Sequence, residues 1–95
     1  MIRHTVFFSA KNPADIERIH DGLMILQGIP HADHFEVGRN LNTDPLAEAR
    51  VDLVVYAEFK DEAALAAYKA HPLYQQSIDI VRPLRDRRFA ADFPA

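Results

Sequence analysis

Apolar and polar residues alternate along the first stretch of the chain, Ile2 to Ala10. Ile2, His4, Val6 and Phe8 fall on one side, and Arg3, Thr5, Phe7 and Ser9 on the other. A period of two in residues rich in Val, Thr and Phe predicts a strand. The period then changes. Asn12 offers a cap, Pro13 suits a first helical position, and Asp15 falls in the first turn, where the helix dipole favours an acid. Ile16, Ile19, Leu23 and Leu26 follow at three- and four-residue spacing, one face of a helix, with Gly28 as its expected stop.

His34 to Leu41 alternates again, with Phe35, Val37, Arg39 and Leu41 on one face and Glu36, Gly38 and Asn40 on the other. A polar stretch through Asn42, Thr43, Asp44 and Pro45 separates it from Val51–Phe59, the strongest strand signal in the chain. Asp61 is placed to cap a short helix carrying Ala64, Leu65 and Tyr68. His71 precedes Pro72, which disfavours helical dihedrals at His71. The helix is therefore expected to break there and restart at Pro72 with Tyr74, Ile78 and Val81, until Pro83 stops it. Arg87 to Phe93 reads as a last strand.

Strand–helix–strand–strand–helix–strand is the split βαβ order. It predicts an α+β, ferredoxin-like βαββαβ fold in a single domain spanning residues 1–95. The sheet is four-stranded and antiparallel overall, with helices on one face. The first and third strands are expected at its centre, parallel to one another and joined by right-handed crossovers.

Both central strands are apolar on two faces. Val51, Leu53, Val55, Ala57 and Phe59 share one side of the third strand, yet Val54 and Tyr56 occupy the other, as Phe7 does in the first. Two helical segments cover only one face of such a sheet. Burial of apolar surface stabilises by roughly 25 cal/mol per Å², so a second copy is the expected cover. The two sheets would stack about a two-fold axis into a dimeric α/β barrel, with Phe7, Val54 and Tyr56 at the homodimer interface. The alternative is an open sheet with ordinary exposed hydrophobes.

Composition narrows the function classes. The chain has 95 residues, enough to bury only roughly 60–65% of its unfolded surface. Hydrophobic residues at 48% and charged ones at 26% suit a globular protein and exclude a disordered one. Absence of cysteine excludes disulfides, thiolate metal sites and a cysteine nucleophile, and favours a reducing compartment. The opening residues carry charge at once and do not read as a signal peptide. No apolar run approaches the ~20 residues of a membrane span. A cytoplasmic location is expected. A net charge of −3 gives no general attraction for nucleic acid or membrane. Arg82, Arg85, Arg87 and Arg88 are a local exception, read either as a solvated turn offset by Asp86 and Asp92 or as a site for an anion.

Several segments carry a resemblance. The opening Ile2-Arg3-His4-Thr5-Val6-Phe7-Phe8 and the second-strand Phe35-Glu36-Val37-Gly38-Arg39-Asn40 resemble the stress-responsive A/B barrel (Dabb) family. So does Phe59 followed by a short helix ending in Tyr68-Lys69-Ala70-His71-Pro72, and so do Val81-Arg82-Pro83-Leu84 and the last strand. Membership implies a homodimeric α/β barrel and no single activity. The family includes a plant polyketide cyclase in which a His and a Tyr between sheet and helices drive an aldol cyclisation. The resemblance places that Tyr on Tyr68 and a first-strand His on His4. The cyclase's catalytic His falls on Tyr74, and a further pocket His on Leu53. Tyrosine, with an ordinary pKa near 10, is a poor base at neutral pH, so the family's base is missing at Tyr74.

The candidate ligand pocket is thus His4, Leu53, Tyr68, His71 and Tyr74, with His4 and Tyr68 as candidate catalytic groups. His71 is also explained by the helix break. Tyr74 reads equally as a pocket group or a packing residue. His31 and His34 lie three apart in a loop entering a strand, where such positions face opposite sides; no metal site is expected from them. No cofactor is expected: there is no Gly-rich phosphate loop, and no serine-nucleophile motif surrounds Ser9 or Ser77. The leading expectation is a dimeric binder of a small, mostly apolar molecule, linked to stress. The alternatives are a cofactor-independent enzyme of cyclase, lyase or monooxygenase type acting on a small carbonyl or aromatic compound, and an assembly module.

Overall fold

In the computed structural model, which describes residues Met1–Ala95, the alternating opening forms strand β1 (Ile2–Ala10). A 3-10 turn (Pro13–Asp15), helix α1 (Ile16–Met24) and a second 3-10 turn (Ile25–Gly28) follow. Strands β2 (His34–Arg39) and β3 (Leu53–Phe59) come next. Helices α2 (Glu62–Ala70) and α3 (Pro72–Val81) and strand β4 (Arg85–Pro94) complete the chain. This is the ferredoxin-like α+β arrangement, a four-stranded antiparallel sheet in the order β2-β3-β1-β4.

β1 and β3 are central, but they run antiparallel and not parallel: Ile2 faces Phe59 and Phe8 faces Leu53. Topology explains the correction. Helix α1 carries the chain back, so β1 and β2 point the same way. β3 returns from β2, enters between the two, and opposes both.

Local chemistry sets the boundaries. The Asn12 side chain accepts a hydrogen bond from Ala14 N–H at 3.0 Å, and Asp61 caps α2 by accepting from Ala64 N–H at 2.9 Å. His71 ends α2 in an extended conformation and caps α3, its Nδ1 accepting from Leu73 N–H at 3.1 Å. Gly28 does not stop α1 through a left-handed residue, since no glycine here has positive φ. The helix tightens into a 3-10 turn instead, and Gly28 supplies room, because a Cβ there would lie 2.9 Å from Leu73 Cδ1.

β2 ends at Arg39, before the expected Leu41, because the exposed Asn40 side chain ties the following loop together. Its Nδ2 donates to Val51 O at 2.8 Å, and its Oδ1 accepts from Asn42 N–H. Asn42 takes a left-handed φ of 57°, which asparagine tolerates, and Leu41 projects into solvent. β3 starts at Leu53, not Val51. Asp52 turns inward and accepts from Ala10 N–H at 2.8 Å and from Arg50 Nε at 2.8 Å. β4 begins two residues earlier than expected, because Arg85 pairs with Ala10 across an irregularity in the ladder. Ser9 Oγ bridges that irregularity by accepting from Arg87 N–H at 3.1 Å.

The core lies between one sheet face and the helices. Val6, Phe8, Leu53, Val55, Ala57 and Phe59 meet Ile19, Leu23, Leu26, Leu65, Tyr68 and Val81. α1 and α3 touch closely: Ser77 Oγ donates to Gly22 O at 2.9 Å in a buried contact. The other sheet face has no helix. Across it run the cross-strand neighbours Phe89, Phe7 and Val54, then Ala91, Thr5 and Tyr56, then Phe93, Arg3 and Glu58. Phe89 and Phe93 are 48% and 46% exposed. No helix is long and apolar enough to cross a membrane.

Candidate functional site

His4 points from β1 toward the helices and is only 1% exposed. Directly opposite it on β4 is Asp92, whose Oδ1 takes His4 Nδ1 in a short hydrogen bond. Lys69 Nζ approaches the other carboxylate oxygen at 3.7 Å. Burial pushes the His4 pKa below the ordinary histidine value. The Asp92 hydrogen bond and charge oppose that shift without cancelling it. A neutral ring that donates Nδ1–H to Asp92 keeps its lone pair on Nε2, where the structure gives it no hydrogen-bond partner.

Tyr68 comes from α2 and is fully buried. Its ring packs edge-on against Phe59, His4 and Tyr74, with centroids 4.9, 6.0 and 5.4 Å away. The Tyr68 hydroxyl is buried without a hydrogen-bond partner. Burial, reinforced by the Tyr74 oxygen, raises its pKa further above the ordinary tyrosine value, so it stays a protonated donor. Tyr74, on α3, is half-buried, and its hydroxyl accepts from Arg88 Nη2 at 3.3 Å.

These groups share a cavity of about 210 Å³ between the sheet and helices α1 and α3. Its body is apolar, with Val6, Phe8, Leu23 and Val55 among its walls. Its polar groups are His4, Tyr68, Tyr74, Ser77 and three arginines, Arg82, Arg85 and Arg88. A neutral imidazole with a free Nε2 can take a proton, and the Tyr68 O–H can donate to an oxygen that gains charge.

Of the residues expected at the pocket, His4, Tyr68 and Tyr74 come together here. Leu53 is fully buried in the core but does not line the cavity. Neither does His71. It caps α3, and its ring lies 6.2 Å from that of His31. His34 turns away to Glu36 at 3.2 Å. Phe7, Val54 and Tyr56 sit half-exposed on the open sheet face, where the Tyr56 hydroxyl donates to Glu58 at 2.6 Å. Glu17, His20 and Asp21 bring ligand atoms within 4.8 Å of one another on the surface of α1, but Arg39 holds Glu17 through both carboxylate oxygens.

Asp92 and the arginines of β4 were not among the residues singled out for the pocket. Period-two spacing puts Arg88, Ala90 and Asp92 on one face of a strand. The β1–β4 register that sets Asp92 against His4, 88 residues away in sequence, leaves no local mark.

The family description "Stress responsive A/B Barrel Domain" matches residues 2–95. No curated protein matches the chain. Among solved structures, the chain is similar to a dimeric ferredoxin-like protein of unknown function from Thermobifida fusca, with 28% identity and a TM-score of 0.80, covering 99% of this chain and 90% of that one. It is also similar to a Dabb family protein with a ferredoxin-like fold from Mesorhizobium loti, with 28% identity and a TM-score of 0.83, covering 99% and 95%. A dimeric ferredoxin-like protein of unknown function from Jannaschia sp. CCS1 has the same fold, with 24% identity, a TM-score of 0.85, and 99% and 98% coverage.

Proposed function

Since this chain belongs to the stress-responsive A/B barrel domain family, we propose that it forms a homodimer, each subunit of which holds one small, mostly apolar molecule between sheet and helices. The observation that carries the reading is the Tyr68 hydroxyl. It is buried and unpaired, and its residue lines a cavity with an apolar body. An orphaned buried hydroxyl costs about 1–3 kcal/mol, and a ligand acceptor would relieve that cost. The volume of about 210 Å³ limits the occupant to something near one ring in size; a cavity of about 150 Å³ already holds benzene. Two facts support the dimer. Phe7, Phe89, Val54 and Tyr56 line a sheet face without a helix, and the Thermobifida protein, 28% identical, is dimeric. Native mass spectrometry of the purified protein tests both parts. The expected spectrum is a dimer that carries, or takes up, one small molecule per subunit. A monomer that takes up none of a panel of single-ring compounds overturns the reading.

The His4–Asp92 pair favours a second reading, cofactor-independent proton transfer on a small carbonyl compound. His4 Nε2 would remove a proton from the carbon beside the carbonyl. Tyr68 O–H would hold the enolate oxygen, and His4 would return the proton. This assigns the base to His4, although the family's base position holds Tyr74. In D2O, deuterium exchange at the methyl group of acetophenone should fall by roughly 10²-fold or more in His4→Asn. Exchange no faster than in buffer, or unchanged in that variant, rules this reading out.

A further inference from the structure

We infer that the molecule held in the cavity is a small acid, with its carboxylate at the mouth between Arg82, Arg85 and Arg88 and its apolar body inside. The inference rests on the pocket reading above and adds the ligand's charge. The four arginines near the C-terminus divide unevenly. Arg82, Arg85 and Arg88 all line the same cavity, while Arg87 does not. On β4 the split comes from alternation at Arg87 and Arg88 and from the ladder irregularity that pairs Arg85 with Ala10. Arg88 pairs with Phe8 on the helix-covered face, and its neighbour Arg87 lies on the other.

None of the three has an acidic partner. The ion pairs of the chain use Arg18, Arg39, Arg50, Lys69 and, besides His4, His20 and His34, and no carboxylate lies within 4.0 Å of Arg82, Arg85 or Arg88. Asp86 and Asp92 are close in sequence, but Asp92 is occupied by His4 and Lys69 and Asp86 pairs with no cation. In a chain of net charge −3, three cations without acidic partners at one cavity mouth repel one another and attract an anion. Arg82 alone has a local explanation, since it follows the last residue of α3, where the helix dipole favours a cation. Arg85 and Arg88 lie on β4 and have none of that kind. Arg88 makes one hydrogen bond, to the Tyr74 hydroxyl, which aims its guanidinium and leaves its other N–H groups free for a carboxylate, a geometry that suits bidentate pairing.

The second observation lies deeper. Tyr68 O–H is an unpartnered donor and His4 Nε2 an unpartnered acceptor, so the cavity grades from cationic at the mouth to neutral and polar inside. An arene carboxylate with a hydroxyl or carbonyl substituent fits that gradient. A phosphate ester carries more charge, about −1.5 to −2 at neutral pH, and is bulkier and more hydrophilic at the apolar neck.

Isothermal titration calorimetry on the whole protein separates the possibilities, with benzoate, its neutral isostere benzamide and inorganic phosphate as probes. Benzoate should bind at least tenfold more tightly than benzamide and than phosphate. Arg85→Gln and Arg88→Gln should each weaken benzoate at least fivefold and leave benzamide unchanged. Arg87→Gln, the same charge change on the other face, should leave benzoate binding intact. Equal affinity for benzoate and benzamide, or equal loss in Arg87→Gln, overturns the acid and leaves the pocket reading standing. Phosphate binding more tightly than benzoate also overturns the carboxylate. Binding of none of the three overturns the inference together with the pocket.

Discussion

His4 and Asp92 stand opposite one another on β1 and β4, and the carboxylate fixes which nitrogen of a buried imidazole is left free. Burial holds the folded-state pKa of His4 below its ordinary value. The unfolded chain therefore takes up the proton first, at about pH 6.5. As pH falls from there toward the folded pKa, His4 removes stability; above about 6.5 its contribution is level. Long-range 1H–15N spectra should show Nδ1–H in the neutral form and a titration midpoint below 6.5. A midpoint at or above 6.5 would contradict the burial argument.

Tyr68→Phe separates structure from function. The hydroxyl makes no hydrogen bond, so its removal loses no partner and relieves a desolvated group. The melting temperature should hold or rise, by an amount equivalent to about 1 kcal/mol. Ligand affinity or turnover should fall in the same variant. A large loss of stability would mean that the hydroxyl has a structural partner after all.

The contact between α1 and α3 depends on a missing side chain. A Cβ on Gly22 would lie 2.9 Å from Cγ2 of both Ile80 and Val81. Both side chains are β-branched and stiff at χ1, but Ile80 is partly exposed and can yield, whereas Val81 is buried. Gly22→Ala should cost about 1–3 kcal/mol in urea denaturation. Ser77→Ala, which removes the buried hydrogen bond to Gly22 O, should cost about 1 kcal/mol by the same measurement.

Asp52 secures the end of β1. Its Oδ2 holds a buried N–H of Ala10. Asp52→Ala should destabilise by about 1–3 kcal/mol. Asp52→Asn should destabilise less, because the amide oxygen still accepts. Equal losses in the two variants would assign the effect to the Arg50 ion pair.

Phe7 lies at the centre of the helix-free sheet face, between Phe89 and Val54. Phe7→Lys should leave the far-ultraviolet circular dichroism of the chain unchanged. In sedimentation velocity it should weaken the dimer at least a hundredfold, as burial of an unpaired ammonium would require. An unaltered dimer would place the interface elsewhere.

Much of the fold was legible in the sequence because it rests on local signals. The period of two in Val51–Phe59, the break at His71-Pro72 and the caps at Asn12 and Asp61 each act within a few residues. The direction of β3 relative to β1 was misread because strand sense depends on the whole path through β2. The site was legible in its local half. His4 and Tyr68 could be placed on inward faces, and Tyr74 at the helix restart. Asp92 and the unequal roles of the four arginines required the β1–β4 register, and the irregularity near Ser9 that shifts it cannot be located from composition or spacing.

The outer side of β4 has no strand beside it within the chain. An edge of ten residues with free backbone donors and acceptors is a template on which a foreign segment can add and seed aggregation. Half of this edge is charged, through Arg85, Asp86, Arg87, Arg88 and Asp92, and Pro94 closes it with a residue that has no N–H to offer. Arg85 and Arg88 thus guard a border as well as line a cavity. Replacing both with apolar residues would expose the chain to self-templated growth even if its interior were untouched.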